Sequence, residues 1–143
     1  MDVIIDANCS ASALCPQPHA EFAPLMQAIL NGSLRIQYGG TKLTEEYMRL
    51  GQVWKFLRVL DQAGRVAVVA RAAVDEEEKR LAEECQLKSD DPHVLAIARI
   101  SGARLLCSRD QALHQDFGNP QIINKPRGKI YQCASHAKLL KRK

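Results

Sequence analysis

Four carboxylates stand where a chain could serve a reacting centre: Asp6 in "VIIDAN", Glu46 in "TEEYMRL", Asp91 in "DDPHVLAIA" and Asp110 in "SRDQAL". Asp6 and Asp110 follow apolar runs that read as strands, and Asp91 opens the helix that feeds the second of those strands. In open parallel sheets such positions share one rim, beyond the carboxyl ends of the strands, where ligands bind. Carboxylates gathered at one point raise each other's pKa values unless a cation neutralises them. Hard divalent ions take oxygen ligands, and Mg²⁺ keeps several waters while binding few carboxylates. Such a cluster can activate a water and stabilise the charge on a phosphodiester during in-line displacement.

Taken singly, each acid also has a structural explanation. Asp and Asn start turns by bonding nearby backbone, which would account for Asp6. Asp91 before Pro92 is a favoured helix start, although Ser89 and Asp90 offer caps of their own. Ser108 and Gln111 form a capping-box pattern, and Asp110 in a first helical turn suits the helix dipole. Asp116, six residues on, could simply cover a helix end. Glu45 and Glu46 separate by phase. Leu43, Tyr47 and Leu50 mark one helix face; Glu46 falls on that stripe, and Glu45 points about 100° away. An inward carboxylate needs a partner, because burying an unpaired charge is costly.

The elements that must position these acids follow from apolar patterning. Residues 2–6 predict a short buried strand, "SASALCPQP" a loop, and 19–31 a helix closed by Asn31-Gly32. "LRIQY" predicts a strand broken by Gly39-Gly40. Helices are expected over about 42–50 and 52–63, then the strand "RVAVVA". An amphipathic helix over 75–85 rests on Val74, Leu81 and Ala82. A helix over 91–101, the strand "RLLC", a short helix from about 109 and a strand at 121–123 complete the chain. Strands alternating with helices imply an α/β fold, a three-layer sandwich around a mainly parallel sheet.

The 143 residues suit one domain with a real core, and 46% hydrophobic with 25% charged content is ordinary for a globular protein. No apolar run approaches the roughly 20 residues of a membrane span, and no secretory leader is expected. The five cysteines lack framework spacing, which points to reduced thiols in the cytoplasm. Net charge is +4, and from Lys125 onward the chain holds Arg127, Lys129, Lys138, Lys141, Arg142 and Lys143 without one acid. A basic tail at about 125–143 beside an acidic site suits a polyanion that also meets metal ions, while a solvated terminus is the plainer reading.

The four acid motifs resemble the PIN-domain ribonucleases, and most closely the small prokaryotic PIN proteins that include toxins of toxin–antitoxin pairs. The likeness runs from about 1 to 125. It is most specific from Asp91 to Asp110, where Asp, "LAIA", Gly, an apolar strand and Ser-x-Asp follow in family order. It implies a metal-dependent endoribonuclease in which Asp6, Asp91 and Asp110 hold Mg²⁺ or Mn²⁺. Glu46 would be a further ligand or water-orienting base, and Asn8 and Ser108 would support the site by hydrogen bonds. Many relatives have Thr at the place of Ser108, and the fourth acid varies, which leaves Asp116 open as a ligand. RNA is the implied substrate; an antitoxin and a homodimer are the partners the likeness leaves open. The competing reading is a non-catalytic PIN-like domain that binds RNA or protein, whose mark would be loss of the rim acids.

Other readings lack their residues. A haloacid-dehalogenase-type phosphatase needs a second Asp two after the first, where this chain has Asn8. A dinucleotide site needs a Gly-rich loop, and "DANCSASAL" has no glycine. Cys9, Cys15 and His19 lack a second ligand pair for zinc. His93, His114 and His136 are scattered.

Overall fold

The computed structural model describes residues 1–140; Lys141, Arg142 and Lys143 of the basic tail lie outside the described residues. Three strands form the centre of the sheet: β1 (Asp2–Ile5), β2 (Arg35–Gly39) and β4 (Leu105–Cys107). Val3, Ile4 and Ile5 are all fully buried, as expected of a strand covered on both faces. With β3 (Val66–Val69) and β5 (Lys129–Tyr131) they make a five-stranded, all-parallel sheet in the order β3-β2-β1-β4-β5. Ile5 stands opposite Cys107, so the ends of β1 and β4 lie side by side.

The connections are helical. α1 (Ala7–Ala13) and α2 (Ala23–Leu30) join β1 to β2; α3 (Thr41–Arg49) and α4 (Gly51–Gln62) join β2 to β3. α5 (Arg71–Glu84) and α6 (Pro92–Ser101) return the chain past β1 to β4, and α7 (Gln111–Phe117) leads on towards β5. Right-handed crossovers place α1–α4 on one face and α5–α7 on the other, a three-layer α/β/α sandwich. No described helix is long and apolar enough to cross a membrane.

Four local expectations are corrected. "SASALCPQP" does not begin as a loop: α1 runs through Ala13, because Cys9, Ser10 and Ala13 give it a buried face and Ser10 Oγ donates to Ala7 O at 2.8 Å. The helix at 19–31 is a 3-10 turn, Ala20–Phe22, followed by α2 with Pro24 in its first turn. Residues 121–123 form no strand. Ile122 and Ile123 are buried, but both their N–H groups bond Asn119 O at 2.9 Å, which folds the segment into a turn. The fifth strand is β5 instead, so the basic stretch enters the sheet, and a 3-10 helix over Ala134–Leu140 follows it. Lastly, Ala82 of α5 and Leu50 after α3 face solvent; Glu77 takes the inward place on α5, paired with Arg80 and Arg99.

Two adjoining glycines set the start of α3. A Cβ on Gly39 would lie 2.4 Å from Val69 O, and one on Gly40 would lie 2.5 Å from Val74 Cγ1, at a φ of +75° that favours glycine. The helix therefore begins tight against β3 and α5. Asp75 of α5 supplies its cap, accepting from Thr41 N at 2.9 Å and Thr41 Oγ1 at 2.6 Å.

Candidate functional site

The strand order reverses direction between β1 and β4, since the chain builds outward through β2 and β3 and then returns to the other side. That switch point opens a crevice at the carboxyl ends of the two strands. Asp6 follows β1 and Asp110 follows β4, one on each side of it. Asp91, at the start of α6, and Glu46, on α3, reach the same place: Asp6 acts electrostatically on both, and Asp110 on Asp91.

Asp6 occupies the N-cap position of α1, yet its side chain makes no capping hydrogen bond. Its Oδ2 accepts instead from Ser108 Oγ at 2.8 Å. The same hydroxyl oxygen accepts from Asp110 N at 3.1 Å, so one serine ties the two acidic turns together. His114 on α7 steadies that serine by donating from Nε2 to Ser108 O at 2.6 Å. Burial raises the Asp6 pKa and the charge of Asp110 adds to it, against the lowering effect of the Ser108 bond.

Asp91 is also an N-cap that does not cap: no side-chain hydrogen bond closes the start of α6, where Pro92 needs no N–H partner. Its carboxyl is pushed up to about 6, first by burial, then by the nearby carboxylates of Asp6 and Asp110, with Lys42 opposing. Asp110 differs. Its Oδ1 accepts from Ala112 N at 3.0 Å and Leu113 N at 3.3 Å, so it caps α7 while facing Asp91.

The helix phase of α3 separates the two glutamates. Leu43 and Tyr47 are fully buried, Glu45 is exposed, and the Glu46 side chain is 28% exposed. The Tyr47 hydroxyl donates to Ile5 O, which pins α3 to the last residue of β1, immediately before Asp6. Glu46 Oε1 lies 3.0 Å from His93 Nε2. Burial, with Lys42 adding, pushes the His93 pKa down to about 4, so this contact at neutral pH is a hydrogen bond and not an ion pair. Burial, and then Asp6, raise the Glu46 pKa, while Lys42 and Arg49 oppose.

Asp116 does not join the cluster. Its carboxylate accepts from Lys88 N, Ser89 N and Ser89 Oγ, at 2.9, 2.9 and 2.8 Å, and so anchors the loop that precedes Asp91. Asn8 is exposed on the first turn of α1. Residues that sequence reasoning passed over are His93 and His114. Glu46 lies 47 positions from His93, and His114, six positions from Ser108, bonds its backbone carbonyl, which leaves no mark in side-chain patterning. The one hint for His93 was a polar ring at the head of the otherwise apolar stripe Val94, Leu95 and Ala98. Among the described residues, no three His, Cys, Asp or Glu side chains close into a ready metal cage, and all five cysteines are free.

A family model described as PIN domain matches residues 2–112, which spans every element that carries the four acids. Neither the curated proteins nor the solved structures give a significant match. The match covers well over half of the chain, and the all-parallel sheet with its acidic switch point agrees with it: this chain belongs to the PIN-domain family.

Proposed function

We propose that this chain is a metal-dependent endoribonuclease that cleaves phosphodiester bonds of single-stranded RNA. The observation that carries the reading is that Asp6 and Asp91 both hold N-cap positions, forgo capping, and lie near enough to Asp110 at the switch point for its charge to act on both. Two helix starts are left without their side-chain caps, and like charges are crowded together. Folding alone favours neither. Family membership supports the reading, since PIN domains are generally nucleases and commonly use divalent metals.

The donor set fits a hard cation. Every candidate ligand is a carboxylate oxygen, and burial with the neighbouring carboxylates raises the pKa values of Asp6 and Asp91, a crowding that a cation would relieve. Asp6, Asp91 and Asp110 would hold Mg²⁺ or Mn²⁺. Bound there, the ion would supply charge to the phosphate and lower the pKa of a water. Ser108 keeps Asp6 aimed and favours its ionised form. Glu46, set back on α3 with a raised pKa, would be a further ligand of the ion or would orient the attacking water and accept its proton. Lys42 and Arg49 supply positive charge close to Glu46, and Lys42 also to Asp91, for an incoming phosphate backbone.

The test is cleavage of a labelled single-stranded RNA by purified protein with Mg²⁺ or Mn²⁺ and with EDTA. Cleavage that stops in chelator and is lost in Asp6→Asn, while the variant stays folded, is the expected result. Cleavage that persists in chelator sinks the metal mechanism. A folded wild-type protein that binds RNA without cutting it would favour the non-catalytic reading.

A further inference from the structure

Three of the rim acids are held close to the backbone, because each sits at the N-cap of a helix and its side chain is short. Glu46 has no such restraint. It lies in the middle of α3 on a longer, more mobile side chain, with Lys42 one turn before it and Arg49 three residues after, both near enough to affect its charge. Residues at those spacings are helix neighbours, and a half-exposed carboxylate between two cations would ordinarily turn outward to pair with them. Here it turns inward, to His93 Nε2 at 3.0 Å.

His93 is well placed to impose that choice. It is 1% exposed, on the first turn of α6, two residues after Asp91 and directly after Pro92. Its ring is buried, so it has little freedom to follow Glu46 into solvent. Among the described residues its buried Nδ1 has no hydrogen-bond partner, whereas Nε2 faces a carboxylate oxygen. That acceptor places an N–H on Nε2.

We propose that His93 is a positioning residue of the nuclease site: its Nε2–H donates to Glu46 Oε1 and holds that carboxylate over the acidic rim, away from Lys42 and Arg49. The assignment rests on the nuclease reading and names how one of its groups is aimed. Partners that orient a metal-site carboxylate are commonly worth about 10- to 100-fold in affinity or activity. The ring also links α6, which carries Asp91, to α3, so two of the four acids keep a common register.

The test uses Mn²⁺ alone as a binding probe, read by the free-ion spin-resonance signal, beside RNA cleavage on the full chain. His93→Leu should fold, weaken Mn²⁺ binding by about tenfold and lower kcat by a similar factor with little change in KM for RNA. His93→Gln, whose amide nitrogen reaches about as far as Nε2, should recover most of both losses; His93→Asn, which is shorter, should not. In a Glu46→Gln background, His93→Leu should add nothing further, because the group it aims is already gone. A folded His93→Leu that binds Mn²⁺ and cleaves like wild type overturns the assignment, and so do additive losses in the double variant. If His93→Leu does not fold, the contrast between Gln and Asn decides, and equal behaviour of those two overturns it. Wild-type protein that neither binds Mn²⁺ nor cleaves RNA overturns the nuclease reading and this assignment together, whereas an active wild type with indifferent His93 variants overturns the assignment alone.

Discussion

The Ser108 hydroxyl donates to Asp6 Oδ2 over 2.8 Å and so ties the end of β4 to the end of β1 across 102 positions of sequence. Ser108→Ala would leave a buried carboxylate without its donor and remove the main influence that favours its ionised form. The variant should lose roughly 1–3 kcal/mol of stability at neutral pH. Its Mn²⁺ affinity should fall several-fold, and the acid limb of its activity profile should move to higher pH. Ser108→Thr keeps the hydroxyl and should restore both. Denaturant unfolding and a pH–rate profile decide this; an alanine variant with an unshifted profile would remove the serine from the site.

Asp91 gives a pH dependence whose sign is fixed by its raised value of about 6. Between about pH 4 and pH 6 the unfolded chain has released this proton while the fold still holds it. Stability from this group is therefore full below about pH 4 and is lost as pH rises through about 6. Asp91→Asn removes that loss. Without metal the variant should be more stable than wild type at pH 7, by on the order of 1 kcal/mol once the carboxyl's half-exposed setting is allowed for, and equal to it near pH 4. Urea unfolding in EDTA at both pH values is the measurement. A variant less stable than wild type at pH 7 would mean that its carboxylate is favourably paired in the fold.

Glu46→Gln should lower RNA cleavage by two or more orders of magnitude, in the range ascribed to a positioned acid or base. Glu45→Gln, on the exposed side of α3, should leave it near wild type. Single-turnover rates on one RNA separate the two. The opposite ranking would contradict the assignment of Glu46 to the site.

Asp116→Ala distinguishes an anchor from a ligand. It removes the acceptor for Lys88 N, Ser89 N and Ser89 Oγ and should cost roughly 2–4 kcal/mol of stability. Mn²⁺ affinity of the folded variant should stay close to wild type. A stable variant with lost metal binding would return Asp116 to the ligand set.

The sequence by itself determined the parts of this protein that short-range periodicity encodes. Val3, Ile4 and Ile5 could only be a strand covered on both faces, and the Leu43–Tyr47 spacing sent Glu46 inward and Glu45 outward. Alternating strands and helices implied a parallel sheet, and parallel strands bring Asp6 and Asp110 to one rim whatever their packing. Tertiary structure decided what depends on partners distant in the chain. Cys9, Ser10 and Ala13 make a helix because small residues can pack closely on a core that local propensity does not register. Ile122 and Ile123 are apolar enough for a strand, but their backbone bonds go to Asn119 and the vacant edge of β4 is taken by Lys129–Tyr131. Asp116, a carboxylate like the other four, was drawn off by the Lys88–Ser89 backbone, and His93 met Glu46 only because α6 packs beside α3. A carboxylate's role is set by which donors surround it, and those donors come from segments tens of residues away, so only the packed fold could distinguish an anchor from a member of the acidic rim.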